Sequence, residues 1–97
     1  MAHWLLTYDL AADYRVRRET LRAEHLALAW AAAGAGALLL GGAVGDDPRT
    51  ALLLFTDRAA AEAFVDADPY VRDGLVTGWR IDPWITVVGE GAATPIR

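Results

Sequence analysis

Two side chains in this sequence, His25 and Asp68, have the chemistry of a proton-transfer pair. An imidazole takes up and releases protons near neutral pH, which suits general acid–base catalysis. A carboxylate that accepts a hydrogen bond from the imidazole fixes its tautomer and stabilises the imidazolium. Each residue also has a structural interpretation, because a single histidine on an apolar helix face is commonly a hydrogen-bonded core residue and an aspartate before a proline is a typical helix cap. The pattern leaves both interpretations open.

Four more residues are candidates for contacts with a substrate. Arg18 and Arg22 precede His25 by seven and three positions, so either one reaches the same face of a helix. A guanidinium group there would hold an anionic group of a substrate. The rings of Tyr70 and Trp84 would wall a pocket for a flat molecule. The alternatives are surface arginines with buried stems, and aromatic residues that pack in the core or in an interface.

The composition excludes several kinds of site. The 97 residues include no cysteine and no serine, which rules out disulfides, thiolate-bound zinc and a serine nucleophile. The two histidines lack the spacing of metal ligands, so we expect no metal. The glycines around 34–42 come without the lysine of a phosphate loop, which makes nucleotide binding a weak interpretation. Proton transfer by an imidazole and a carboxylate implies no cofactor.

The charge pattern limits the partners and the location of the protein. The net charge is -4, with no basic patch, so we expect no nucleic-acid partner. The 20 residues from Leu26 to Gly45 carry no charge and are long enough to span a bilayer. Their four internal glycines favour a helix end followed by a buried strand instead, so we expect no membrane span. The first residues lack the pattern of a secretory signal, and we expect a cytoplasmic protein.

The elements that position these residues follow the order strand, helix, strand, strand, helix, strand. Hydrophobic periodicity and the turn residues define them. Asp13 is the predicted cap of the first helix, and Asp68 begins a short helical turn that ends at Gly74. The predicted strands are 3–9, 37–44, 50–56 and 75–88, and the predicted helices are 14–33, 57–67 and the turn 68–74.

The long first helix carries a wide apolar surface, which we expect to lie on the sheet. Tyr14, Arg18 and His25 recur at helical spacing and share one face. Leu26 and Trp30 belong to an adjoining stripe. The helix is therefore expected to present His25 toward the interior of the domain.

This order of elements predicts an α+β fold of the ferredoxin-like βαββαβ type. A four-stranded antiparallel sheet would carry both helices on one face, with right-handed crossovers. The strands have apolar residues on both faces, so the uncovered face predicts a homodimer with two sheets packed face to face. Pro83 in the last strand requires an edge position or a bulge. We expect one domain with its core at about 3–88 and a loose tail at 89–97.

Several motifs together resemble the YCII-related family of small ferredoxin-like proteins. The resemblance covers about residues 3–88. The combination of an Asp-Pro-Tyr-Val element with a helical His-Leu pair is more specific than any single motif. The matching motifs are Arg22-Ala-Glu-His25-Leu26, Leu38-Leu-Leu-Gly-Gly42, Ala61-Glu-Ala-Phe64, Asp68-Pro69-Tyr70-Val71 and Pro83-Trp84.

The resemblance implies a dimeric α/β barrel with a pocket and a histidine–aspartate centre, which corresponds here to His25 and Asp68. Some relatives act on chlorinated or hydroxylated aromatic breakdown products, and related barrels isomerise lactones or oxidise polyketides. We therefore predict a cofactor-independent enzyme that moves protons on a small cyclic or aromatic metabolite, in an elimination, isomerisation or cyclisation. The alternative is a non-catalytic homodimeric small-molecule-binding or interaction domain, in which His25 is only a packed group.

Overall fold

The computed structural model describes residues 2–97 and contains four strands and four short or medium helices. The order of the main elements agrees with the predicted one. The strands are β1 (His3–Leu10), β2 (Leu38–Ala43), β3 (Thr50–Phe55) and β4 (Val76–Trp84). The helices are α1 (Tyr14–Arg17), α2 (Arg22–Gly34), α3 (Arg58–Ala67) and α4 (Pro69–Arg72), with a 3-10 turn at Arg18–Thr20.

The strands form one antiparallel sheet in the order β2-β3-β1-β4. β1 lies inside the sheet and pairs with β3 on one side and β4 on the other. This order is that of a ferredoxin-like α+β domain, and it confirms the predicted fold. Pro83 lies in β4, which is an edge strand, where a missing backbone N–H on the outer side costs no ladder bond.

The alternation of side chains along β1 separates a helix-covered face of the sheet from an open face. Leu6 and Tyr8 are buried against the helices, whereas Leu5 and Thr7 point the other way. The core lies between the sheet and the helices, because the helices cover only that face of the sheet. Its larger members are Leu6, Tyr8, Leu53, Phe55, Phe64, Val65, Tyr70 and Leu75.

The predicted continuous helix over 14–33 is wrong, because the chain breaks it into α1, a 3-10 turn and α2. Thr20 accounts for part of the interruption, since its hydroxyl donates to the carbonyl oxygen of Arg17 at 3.4 Å and so competes with the helical ladder. Asp13 stands before α1 but makes no side-chain cap. Its carboxylate lies 3.5 Å from the guanidinium of Arg17 instead.

The expectation that the apolar surface of the first helix lies on the sheet holds for only part of α2. The residues of α2 that pack against the core are Leu28, Ala29, Ala32 and Ala33. None of the residues of α2 is fully buried, and Trp30 is 74% exposed. Opposite α2, the strand β2 carries Gly41 and Ala43 on the helix-facing side, in register with Leu53 and Ala51. These small residues leave a gap between the helix and the sheet, and that gap is the pocket described below.

The uncharged stretch from Leu26 to Gly45 is divided between α2 and β2. Within residues 2–97, no helix combines the length and the apolar composition needed to cross a membrane.

The last strand ends at Trp84 and not at the predicted residue 88. Trp84 pairs with His3, the first residue of β1, and within residues 2–97 no strand pairs with the chain beyond that point. The segment that was expected to be a loose tail folds back on the residues that follow β4. The N–H of Thr94 donates to the carbonyl oxygen of Thr86, and that of Ile96 donates to the carbonyl oxygen of Val87. The Thr86 hydroxyl also lies 2.7 Å from Nδ1 of the buried His3, which ties this segment to the start of β1.

Candidate active site

Asp68 joins α3 to α4 and is fully buried, with 0% of its surface exposed. Its backbone is extended (φ -71°, ψ 120°), which ends α3, and Pro69 fits the first position of α4. The Oδ1 atom accepts a hydrogen bond from the backbone N–H of Tyr70 at 3.0 Å. Asp68 therefore caps α4, as its position before a proline predicts.

The same carboxylate binds the ring of His25. Nδ1 of His25 lies 2.8 Å from Oδ1 of Asp68, and the Tyr8 hydroxyl donates to Oδ2 at 2.8 Å. An ionised carboxylate only accepts hydrogen bonds, so with Asp68 in that form the imidazole donates from Nδ1. The lone pair of the neutral ring is then on Nε2, which has no hydrogen-bond partner among residues 2–97.

Two aromatic rings fix the plane of the imidazole. The Tyr70 ring stacks on it at a centroid distance of 3.8 Å and an angle of 5°. The Phe64 ring meets it at 5.9 Å and 77°. With 15% of its side chain exposed, His25 is neither sealed in the core nor free in solvent. The ring is held in one orientation at the edge of the core.

A pocket of about 450 Å³ opens beside His25, between α2 and the β2 side of the sheet. This volume lies in the range of small-molecule sites, and the walls are mostly apolar. Asp68 does not line the pocket, because it lies behind the imidazole. The polar side chains that line the pocket are those of Tyr8, Tyr14, Arg18, Arg22, His25 and Tyr70.

The two arginines give the pocket a positive character. The Arg18 guanidinium lies 5.4 Å from the centroid of the Tyr14 ring. Its Nε is buried and has no hydrogen-bond partner within residues 2–97. Arg22 lines the same pocket from a more exposed position. None of the described residues that line the pocket is acidic, so a bound anion would meet two positive charges.

The phenols beside the pair are held in their neutral forms. Burial, and then the charge of Asp68 and its hydrogen bond, raise the pKa of Tyr8 well above its usual range. Burial raises the pKa of Tyr70 to about 12, with the neighbouring Tyr14 acting in the same direction. The positive charges of Arg22 and Arg18 lower the pKa of Tyr70 and so oppose this shift. The Tyr8 hydroxyl therefore remains a hydrogen-bond donor through neutral pH.

The structure brings together most of the residues predicted for the site. His25, Arg18, Arg22 and Tyr70 line the pocket, and Asp68 lies directly behind His25.

Trp84, which was predicted to contact a substrate, does not line this pocket. It pairs with His3 on the open face of the sheet and lines a separate hollow beside the returning segment. The side-chain alternation of β4 decides this, because residues opposite His3 and Leu5 face away from the helices.

Sequence reasoning missed two tyrosines of the site. Tyr8 alternates with Leu6 on the helix-facing side of β1, and a buried phenol there requires a hydrogen-bond partner. This requirement is the feature of the sequence from which a polar contact of Tyr8 could have been predicted. Tyr14 shares a helical face with Arg18 in the sequence, but only the structure shows its ring beneath the guanidinium and against Tyr70.

The fold and the site define a class of protein, a ferredoxin-like α+β domain with a pocket between its helices and its sheet. Within that class, the chain belongs to the YCII-related family, whose domain profile matches residues 1–85. None of the curated proteins matches this sequence.

Solved structures with a similar fold include the following two. The 5-chloro-2-hydroxyhydroquinone dehydrochlorinase TftG from Burkholderia phenoliruptrix AC1100, in complex with 2,5-dihydroxybenzoquinone, has a TM-score of 0.66 at 21% identity, covering 89% of this chain and 95% of that chain. Rv0793 from Mycobacterium tuberculosis has a TM-score of 0.52 at 13% identity, covering 93% of this chain and 98% of that chain. At these identities, the likeness shows a shared fold.

Proposed function

We propose that this protein is a small acid–base enzyme in which His25 and Asp68 transfer protons on a small cyclic or aromatic metabolite. The observation that carries the proposal is the hydrogen bond between Nδ1 of His25 and the buried Asp68, with the imidazole at the edge of an apolar pocket. A histidine that serves only in packing does not need a buried carboxylate behind it and a pocket in front of it.

The proposed chemistry begins at Nε2 of His25. Nε2 takes a proton from an acidic C–H or O–H bond of the substrate, and Asp68 stabilises the imidazolium that forms. In an elimination, the electron pair of the broken bond moves into the substrate and a leaving group departs with its own pair. In an isomerisation or a cyclisation, the imidazolium returns the proton to another atom of the substrate. These steps draw on no group other than the two side chains and the substrate.

The pocket walls indicate how a substrate would bind. The Tyr70 ring and the apolar residues of α2 and β2 would contact a flat ring, while Arg18 and Arg22 would bind an acidic oxygen on it. TftG acts, by its name, on a chlorinated and hydroxylated aromatic ring. Hydroxylated quinols and quinones are therefore the first probes to test on this chain.

We also propose that the protein is a homodimer through the open face of its sheet. Leu40 and Trp84, which are 74% and 47% exposed, lie on that face together with Leu52 and Leu54. An apolar sheet face of this kind is usually covered by a partner, and a second copy presents a matching surface. Light scattering of the native chain should give twice the mass of one chain. Leu52→Glu should give the monomer mass, whereas Arg80→Glu on the more polar part of the same face should not.

The function is tested with two variants of the pair. The purified protein is mixed with 5-chloro-2-hydroxyhydroquinone, and chloride release and ring absorbance are followed, with 2,5-dihydroxybenzoquinone as a binding probe. We expect His25→Ala to lower turnover by about 100-fold or more and Asp68→Asn by about 10-fold or more, with the probe still bound. His3→Gln, which changes the histidine on the opposite face, is the matched control.

The contrary result favours the alternative function, a non-catalytic homodimeric small-molecule-binding or interaction domain. Folded His25→Ala and Asp68→Asn proteins that retain full turnover would defeat the catalytic role. Binding of the probe without conversion of any quinol would leave the binding domain as the better description.

A further inference from the structure

Tyr8 contacts the histidine–aspartate pair but has no part in the proposed proton transfer. It comes from β1 in the middle of the sheet, whereas His25 comes from α2 and Asp68 from the junction of α3 and α4. Its side chain is 1% exposed, and its hydroxyl donates to Oδ2 of Asp68 at 2.8 Å. Three separate elements therefore meet at one carboxylate.

The hydrogen bonds of Asp68 are divided unequally between its two oxygens. Oδ1 accepts from the Tyr70 backbone and from His25. Oδ2 accepts from Tyr8 alone among residues 2–97. Because Asp68 is fully buried, solvent cannot replace a lost donor. Without the Tyr8 hydroxyl, the charge on Oδ2 would have no hydrogen bond to stabilise it.

We propose that Tyr8 is a positioning residue that acts on His25 through Asp68. The hydroxyl fixes the rotation of the carboxylate, so that Oδ1 meets Nδ1 of His25. It also takes a share of the carboxylate charge, and this share sets how strongly Asp68 holds the protonated imidazole. The geometric part of this proposal stands alone, and only its consequence for turnover rests on the proposed function.

The strand that carries Tyr8 and the burial of its hydroxyl both favour this positioning role. β1 is paired on both sides, so the phenol stands on a rigid support. Its hydrogen bond lies in a water-excluded interior, where a chain of hydrogen bonds polarises its members. The charged and titratable groups around His25 are Asp68, with Tyr8 bonded to it, and the stacked Tyr70. Tyr14, Arg18 and Arg22 line the same pocket.

The proposal is tested by NMR on protein carrying ¹⁵N-labelled histidine. The chain has only two histidines, and His3→Gln assigns the signals. In the native protein we expect His25 in the form protonated at Nδ1. Tyr8→Phe keeps the ring and removes only the hydroxyl, so the Asp68 charge acts more strongly on the imidazolium. We expect the titration midpoint of the His25 ring to rise by about half a pH unit or more.

Tyr14→Phe is the matched control for this measurement. It removes the hydroxyl of another buried tyrosine that lines the pocket but does not bond to Asp68. We expect the His25 midpoint to stay where it is in the native protein. A shift as large as that in Tyr8→Phe would overturn the proposal, because the effect would then not depend on the bond to Asp68.

A double-mutant cycle shows whether Tyr8 acts through Asp68. If it does, Tyr8→Phe shifts the His25 midpoint in the native background and leaves it unchanged in the Asp68→Asn background. Equal shifts in both backgrounds would overturn the proposal, and so would a folded Tyr8→Phe protein with an unchanged midpoint. If Tyr8→Phe shifts the His25 midpoint but the native protein turns over no substrate, the positioning role of Tyr8 is supported. That result would count only against the proposed enzymatic function.

A measurement on the native chain covers the case in which Tyr8→Phe does not fold. The buried hydroxyl proton of Tyr8 should exchange slowly enough to be detected, and its chemical shift should change with pH at the midpoint of His25. If the chemical shift of the Tyr8 hydroxyl proton does not change when His25 is protonated, the proposed coupling between Tyr8 and His25 would be contradicted.

Discussion

Nδ1 of His25 lies 2.8 Å from Oδ1 of Asp68, although the two residues are 43 positions apart in the chain. One carboxylate oxygen thus accepts from the imidazole and from the N–H that it caps in α4. The capping interpretation of Asp68 and the functional one are compatible in this geometry. A change at Asp68 should therefore affect both the stability of the domain and the properties of the histidine.

Replacement of Asp68 should destabilise the protein more than the loss of a helix cap alone. Asp68→Ala removes the partner of three donors, two of them in fully buried bonds, and we expect the free energy of unfolding to fall by about 3 kcal/mol. Asp57→Ala is the matched control, because Asp57 caps α3 from an exposed position and should cost about 1 kcal/mol. Urea unfolding measures both. Equal losses would mean that the carboxylate does no more than cap α4.

Replacement of Arg18 should weaken the binding of anionic ligands more than replacement of Arg22. Arg18 is the more buried of the two, and its Nε has no hydrogen-bond partner among the residues that the structure describes. We expect Arg18→Gln to raise the Kd of 2,5-dihydroxybenzoquinone by about 10-fold to 100-fold and Arg22→Gln to raise it less. Calorimetry at two salt concentrations measures the effect. An equal loss of affinity for an uncharged ring would argue against recognition of charge.

Stability should fall at alkaline pH because of the buried tyrosines. An unfolded tyrosine has a pKa near 10.0, whereas the pKa of Tyr70 is about 12 and that of Tyr8 is raised further by burial and by Asp68. Above pH 10 the folded state therefore binds more protons than the unfolded state. The free energy of unfolding then falls with rising pH by up to about 1.4 kcal/mol per pH unit for each tyrosine. Below pH 10 both tyrosines are protonated in the folded and the unfolded state, so this loss of stability does not occur there.

Tyr8→Phe removes one of these two contributions. Thermal unfolding between pH 8 and pH 11 should show a shallower loss of stability in the variant than in the native protein. Identical slopes for the two proteins would contradict the raised pKa of Tyr8.

The returning segment at 86–96 should depend on the hydroxyl of Thr86. This oxygen lies 2.7 Å from Nδ1 of His3 and accepts from the N–H of Ala93 at 2.8 Å. Thr86→Val should speed hydrogen exchange of the Ile96 amide and lower stability by about 1 kcal/mol. Thr94→Val is the control, because the Thr94 hydroxyl makes a longer, exposed bond. Unchanged exchange in Thr86→Val would mean that other contacts hold the segment.

Much of the fold follows from local patterns in the sequence. The aromatic-rich apolar run of β1, the aliphatic run of β3, Gly34 at the end of α2 and the Asp-Pro pair at 68–69 define elements whose bounds agree closely with the structure. Errors arose where a side chain competes with the backbone, as Thr20 does, or where a neighbouring strand ends, as β1 does opposite Trp84. Neither feature is visible from periodicity within one segment.

For the site, residue types identified His25 and Asp68, because an imidazole and a carboxylate can exchange protons wherever they meet. The tertiary structure decided that they do meet, that Tyr8 shares the carboxylate and that Trp84 lies on the other face. The sequence by itself determined the elements and the chemical capacity of their side chains, since both depend on local residue type. Only the tertiary structure decided which groups lie together, because strand register and helix packing set distances between residues that are remote in the chain.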